Sequence, residues 1–550
     1  MTFDHYAGYE ELKNCLEETA RRYPDLCTLT SIGKTRENRD IFCMTLTDPS
    51  SPIPAGDKPA FLIDGNLHSG EVASSMTALY CMEEILRLAD EEEFFADLLF
   101  DYRILCIPRI NADAAEKYLT TPYIFRGSTE PFYPEAPGVK AEDLNGDGEI
   151  VSMRIQDPAG RWKVSGLDPR IMERRAPGDL EGPFYTLTCE GLLQGDDPAC
   201  LTPAPPREDL DPNRQFPFEW KADYPEGERP TSGPEPLHDA EVRCLHDFIS
   251  GEKNLRFIMN FHTFGGLHIS PAAFCPHLTT KDAEIMEELG DAMSQKTGYR
   301  SRGIFPEGAK DIAPGSYTPW AYYEKGILGY VTELWDFHRQ ADPERPEEWS
   351  MFFCGSRAQF EREQTSFLRW DDTQNASRGF MPWTPFHHPQ LGEVELGGWR
   401  EKFTKNNPPP HLLRGVCEKG FAAVHCWLRA LPRLDLSGLR AEITPADVTF
   451  RFFLKNTGYL PTATRQMDAL DEAAAGLTVE IGLQGDDDPD TLRIPSLEGY
   501  STVFQAITCQ RRQAEDLNGT FALTVRAHGA VLLRRQFRLG PGGEVQMVFE

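Results

Sequence analysis

The sequence predicts an α/β fold built on a largely parallel sheet, followed by a separate all-β sandwich. Three observations carry that expectation. Between residues 59 and 110 a short apolar run, a helix-spaced segment and a second apolar run follow one another, the pattern of a strand–helix–strand unit. From about residue 440 the texture changes to short β-branched and aromatic runs broken by Gly or Asn. At 550 residues the chain is also too long for one core, since a domain takes roughly 100–200 residues.

Tyr9 to Tyr23 has helical spacing, and Leu29 to Thr47 alternates around a glycine-containing turn. Residues 59–67 (PAFLIDGNL) read as a buried strand that ends in a glycine turn. Apolar residues at Val72, Met76, Leu79, Met82 and Leu86 form one face of a helix over 72–88. Residues 103–110 (RILCIPRI) read as a second buried strand, Phe257 to Phe261 as a third and Gly326 to Thr332 as a fourth. Helices are expected at 237–250 and 282–297. Residues 120–236 and 340–415 are rich in turn-forming residues and read as loop-rich insertions, the first folded over the sheet edge. A helix at 416–430 and a Pro/Leu linker complete a first unit at 1–435. The sandwich is expected at 440–550.

Composition limits the function classes. The 56 basic against 86 acidic residues give a net charge of −30, which speaks against nucleic-acid and anionic-membrane partners. No apolar run approaches the roughly 18–20 residues that span a bilayer. The start, MTFDHYAGYEELKN, has no apolar signal region. The 13 cysteines are odd in number and form no CxxC pair, so reduced thiols in a cytoplasm are expected rather than a disulfide framework.

The sharpest chemical signal is His68-Ser69-Gly70-Glu71, at the end of a strand, where open α/β sheets bind ligands. An imidazole and a carboxylate three residues apart across a tight turn can share one ion. Catalytic zinc takes three protein ligands and leaves a fourth position to water. A candidate third ligand is His262, which ends the run FIMNFH. Glu333, in YVTELWDF, is a carboxylate in an apolar setting, costly unless it is paired or functional. Taken singly, these residues also read as a helix-first-turn acid, a packed histidine and an ion-pair member. Three strand ends carrying them together weigh against chance. In the first insertion, Asp143, Asn145 and Asp147 have the spacing of a partial calcium loop, but position 12 is Arg154, so a turn capped by its own backbone is the competing reading.

These motifs resemble the zinc carboxypeptidases of the funnelin type, the M14 metallopeptidases. The resemblance rests on GNLHSGE (65–71), IPRINAD (107–113), DPNRQFP (211–217), NFHTFGG (260–266), GSYTPW (315–320) and VTELWD (331–336). It covers roughly residues 5–335, with the long insertion as a gap. It implies an α/β/α domain with a mixed sheet and one zinc ion held by His68, Glu71 and His262. Glu333 would be the general base and acid. Asn213 and Arg214 would grip the substrate's terminal carboxylate. Arg126 would polarise the scissile carbonyl, with Arg154 as the fallback. The family's mobile tyrosine aligns near Asp311 and Ile312, and Tyr317 is the nearest phenol. The family's NPDG turn reads Asn111-Ala112-Asp113-Ala114 here. The sandwich is similar to an appendage of some bacterial members. The implied activity is zinc-dependent removal of a C-terminal residue from a peptide with a free C-terminus. The alternatives are the same machinery acting on a cell-wall peptide or an acyl-amino acid, and an inactive peptide-binding module.

Overall fold

A seven-stranded mixed sheet organises the first part of the chain. Its order is Cys27–Lys34, Asp40–Leu46, Arg103–Ile107, Ala60–Gly65, Leu255–Thr263, Leu328–Leu334 and Leu267–Ile269. The four strands from Arg103–Ile107 to Leu328–Leu334 are mutually parallel, and the outer pairings are antiparallel. The computed structural model describes residues 1–195, 200–208, 210–222, 231–271, 279–301, 314–346, 356–510, 519–540 and 542–548.

The central strands read as continuous apolar runs because both faces of the sheet are covered. Phe61, Ile63, Met259 and Phe261 point into a core shared with the helices Val72–Glu91, Thr280–Thr297 and Pro410–Ala430. Leu62 and Ile258 point the other way, against Val242 and Leu245 of helix Ala240–Gly251 and Trp320 of helix Tyr317–Lys325. The last large helix starts at Pro410, six residues before the expected start, with proline in its first turn, where the missing N–H costs nothing. A helix at Glu93–Asp101 was not expected from the sequence.

Residues 120–236 and 340–415, expected to be loop-rich, also carry regular strands. Together they build a six-stranded antiparallel sheet, ordered Phe380–His388, Gly392–Trp399, Ser152–Gln156, Tyr185–Cys189, Trp162–Val164 and Met172–Arg174. A two-stranded ribbon, Gly138–Ala141 with Gly191–Gln194, and the helix Arg357–Gln374 add to it. The local signal is weak because several of these strands are only three to five residues long. One of them, Ser152–Gln156, finds a partner far along the chain, where Arg154 faces Glu395.

The C-terminal part packs a three-stranded sheet against a five-stranded one. Phe450, Phe452, Val479, Leu523, Val525 and Phe537 fill the space between them. Among the described residues no helix is long and apolar enough to cross a membrane.

Candidate metal centre

Three adjacent strand ends meet at one point. The strand Ala60–Gly65 runs into a tight turn before helix Val72–Glu91. Gly65 is required there, since a Cβ would lie 2.6 Å from the Ser74 carbonyl oxygen. Asn66 adopts a left-handed conformation (φ 61°). Its side-chain amide donates to the carbonyls of His68 and Ser69, both at 3.0 Å, and its backbone N–H donates to Ser74 Oγ. This wiring turns His68 and Glu71 to the same side. His262 lies near the carboxyl end of Leu255–Thr263, opposite Glu333 in the parallel register.

His68, Glu71 and His262 are buried, and one ligand atom from each lies within 4.8 Å of the others. Nδ1 of His68 is 3.0 Å from Nδ1 of His262. Glu71 places Oε1 2.8 Å from the first and Oε2 2.8 Å from the second. The far side of each ring decides what the near side offers. His68 Nε2 lies 3.0 Å from Asp211 Oδ1, and His262 Nε2 lies 2.6 Å from Asn260 Oδ1. Both partners are acceptors that hold an Nε2–H outward, so that with an ion bound each Nδ1 would offer its lone pair inward. Two imidazole lone pairs and a carboxylate facing one another fit a zinc ion, which takes this donor set with an open fourth position. Burial opposes ionisation of Glu71, but His68 and His262 outweigh it and hold the carboxyl well below its usual range.

Glu333 stands beside this cluster in a different state. Its Oε2 has no hydrogen-bond partner among the described residues. Burial, reinforced by the neighbouring Glu71 carboxylate, pushes it up to about 8. Arg126 is carried to the cluster by the loop before it, through a bond from Ser69 N–H to the Arg126 carbonyl at 3.0 Å. Its guanidinium donates to Asp211 Oδ2 at 3.2 Å and lies 3.5 Å from Glu71 Oε1, with about half the side chain (51%) facing solvent. Burial raises Asp211, but Arg126 and His68 reverse this and hold it well below the ordinary carboxylate range.

Asn213 and Arg214 follow on the short 3-10 turn Pro212–Arg214. Asn213 Oδ1 accepts from the Tyr317 backbone N–H at 2.9 Å. The Arg214 guanidinium donates to the Asn213 carbonyl and to Ser316 Oγ. It makes no hydrogen bond or ion pair to a carboxylate among the described residues, although its charge helps hold Asp211 low.

Two expected substrate residues lie elsewhere. Arg154 forks onto Glu395 at 2.8 and 2.9 Å and stacks between Tyr185 and Trp383, so it is an internal ion pair of the second sheet. The Tyr317 side chain is buried, stacked 5.0 Å from Phe216, with its hydroxyl donating to Asp64 Oδ2 at 2.8 Å. It opens the helix Tyr317–Lys325 and points into the core, so it is not a mobile phenol. The positions aligned with that tyrosine, Asp311 and Ile312, lie outside the described residues. The calcium reading of Asp143, Asn145 and Asp147 is also corrected. Asp143 accepts from the backbone of Gly146, Asp147 and Gly148, and Asn145 and Asp147 cap the next N–H groups. These bonds are those of a turn capped by its own backbone, and the calcium reading is not supported.

The residues behind the ligands were not singled out from the sequence. Asp211 opens the DPNRQFP motif, and Asp64 and Asn260 interrupt otherwise apolar strands. A carboxylate or amide inside such a run was the available signal, because burying one without a partner is costly. Asp64 is fully buried, which pushes its carboxyl up to about 7 although Tyr317 and Asn260 both donate to it.

Comparison with known proteins agrees with the geometry. The family model described as zinc carboxypeptidase matches residues 12–145 and 185–362. Carboxypeptidase B of Astacus astacus is 22% identical over 346 residues, covering 61% of this chain and 88% of that protein. Carboxypeptidase D of Homo sapiens is 28% identical over 113 residues, covering 20% of this chain and 8% of that protein. Among solved structures, bovine thrombin-activatable fibrinolysis inhibitor in complex with tick carboxypeptidase inhibitor superposes with a TM-score of 0.41 at 13% identity, over 78% of this chain and 98% of that one. With the family model matching more than half of the sequence, the chain belongs to the zinc carboxypeptidase family of metallopeptidases.

Proposed function

We propose that the protein hydrolyses the C-terminal peptide bond of peptides that end in a free carboxylate. The observation that carries this reading is the placement of Arg214, a guanidinium with no hydrogen bond or ion pair to a carboxylate among the described residues, three positions after the carboxylate that orients His68. A planar guanidinium binds a carboxylate through two parallel hydrogen bonds, and Asn213 beside it supplies a second polar side chain. Zinc held by His68, Glu71 and His262 would acidify a water and polarise the scissile carbonyl. Glu333, with a free Oε2, accepts the proton of the attacking water and delivers it to the leaving amine. Arg126, half open to solvent, donates to the oxygen that gains charge in the transition state. We further propose residues 1–435 as the catalytic unit and 440–550 as an accessory domain.

The test is a panel of matched peptides with free and amidated C-termini, run on zinc-loaded protein and on Arg214→Ala. Free peptides should be cleaved at least ~100-fold faster, and R214A should lose that margin, the equivalent of several kcal/mol of productive binding. Equal cleavage of amidated peptides would remove Arg214 as a terminal clamp and move the reading to a zinc amidase. Absence of bound zinc by elemental analysis would leave only a binding module.

A further inference from the structure

The side chain that orients His262 is an amide, and an amide can turn over. With Asn260 Oδ1 on His262 Nε2 at 2.6 Å, an Nε2–H is held outward, which leaves Nδ1, beside Glu71 and His68, to offer its lone pair to an ion. Rotated by half a turn, the same amide would press its NH2 against the Nε2 proton. The ring would then relax to the other tautomer, with a proton where the ion must bind. His68 has no such weakness, because its partner Asp211 is a carboxylate with two equivalent acceptors.

What stops Asn260 from turning is its other contact. Its Nδ2 donates to Asp64 Oδ1 at 2.5 Å, and Asp64 is its direct neighbour in the parallel register of the two central strands. In the rotated amide the carbonyl would face that carboxylate oxygen, acceptor against acceptor. Asp64 is in turn fixed by the Tyr317 hydroxyl on its second oxygen, and the Tyr317 backbone N–H holds Asn213. All four side chains from Tyr317 to His262 are at most 1% exposed, so no bulk water replaces a lost partner.

We infer that Asp64, acting through Asn260 and backed by Tyr317, is a positioning residue that fixes the metal-binding tautomer of His262. This rests on the reading of His262 as a zinc ligand. Asp64 touches neither substrate nor ion. Its effect passes through one amide whose two ends must face one acceptor and one donor.

The test is zinc affinity by chelator competition on the full-length chain near neutral pH, which requires no substrate. Asp64→Leu should bind zinc about 10- to 100-fold more weakly, the usual cost of removing an outer partner of a metal ligand. Asp64→Asn keeps an acceptor for Asn260 and turns its NH2 to the Tyr317 oxygen, so it should stay within about threefold of the wild type. A D64L affinity within threefold of wild type would overturn the inference, and so would D64N as weak as D64L. Should D64L fail to fold, Tyr317→Phe carries the test. It removes one hydroxyl under a retained ring stack and should weaken zinc binding about threefold or more. Unchanged affinity there overturns the relay. If the wild type itself bound no zinc, the metal-centre reading would fail instead, and the two failures are separable.

Discussion

Glu333 and Glu241 are both carboxylates pushed up by burial, and they predict opposite kinds of measurement. For Glu333, exchange to Gln keeps the shape and removes the proton acceptor. Turnover should fall by at least ~10²–10⁴-fold while zinc stoichiometry stays at one per chain. Retained activity with full zinc would end its role as the base. Glu241 lies in the first turn of the helix Ala240–Gly251 away from the metal cluster, beside Asp239 and Asp113, with backbone N–H groups of its own residue and of Arg36 (a long 3.4 Å bond) reaching its carboxyl. Burial pushes it up to about 7, from an ordinary 4.5. A raised carboxyl favours the folded state only while it holds its proton, so stability is lost as pH rises through about 7. Glu241→Gln should therefore be more stable than wild type at pH 8, on the order of 2 kcal/mol, and about equal near pH 4.5. Urea unfolding at the two pH values checks it. At this scale the convergence of His68, Glu71 and His262, with Glu333 beside them, was legible because each lies at or just after the end of a buried strand. Tyr317 was misread because one motif does not say whether a ring at a helix start points out or, as here, against Phe216.

Two loops rather than two residues bring Arg126 and Asp211 together. Gly127 lies so close to the next segment that a Cβ would stand 1.6 Å from the Leu210 carbonyl oxygen. A methyl group there must push the Arg126–Ser128 backbone away from Leu210–Pro212. It would open the bond between Arg126 and Asp211 and loosen the orientation of His68. Gly127→Ala should cost ~1–3 kcal/mol of stability, as overpacking does. It should also lower kcat/KM by at least about tenfold, since misplacement of about 1 Å can cost a hundredfold. Thermal unfolding and peptide kinetics on the same preparation check both, and wild-type kinetics would show that the two loops are held independently. The elements that carry the ligands were readable because parallel strands buried on both faces leave long apolar runs. The second sheet was less so, because several of its strands are only three to five residues long and one of its pairings joins segments about 240 positions apart, where Arg154 meets Glu395 (separation 241). No local window of sequence contains such a pairing.

Across the whole molecule, the two proposed units are joined by buried polar groups and not only by a linker. Arg256, on a central strand of the catalytic sheet, is 7% exposed and donates to the carbonyls of Ala527 and His528 in the sandwich. Asp282, 1% exposed on helix Thr280–Thr297, accepts the backbone N–H groups of Arg465 and Gln466 together with the Tyr322 hydroxyl. Among the described residues, none of the side chains placed at the metal centre takes a hydrogen bond from residues 440–550. Deleting 440–550 would strip partners from a buried guanidinium and a buried carboxylate, and each such loss costs about 1–3 kcal/mol, more for charged groups. The truncated chain should therefore unfold at a clearly lower temperature, while its folded fraction keeps zinc and cleaves peptides within about threefold of the full chain. Arg256→Met in the intact protein separates the two contributions. It removes the buried charge that needs the sandwich carbonyls, so the further loss on truncation should be smaller in that background than in wild type. Truncation that abolished zinc binding while the remaining fold persisted would show instead that the sandwich shapes the metal centre directly.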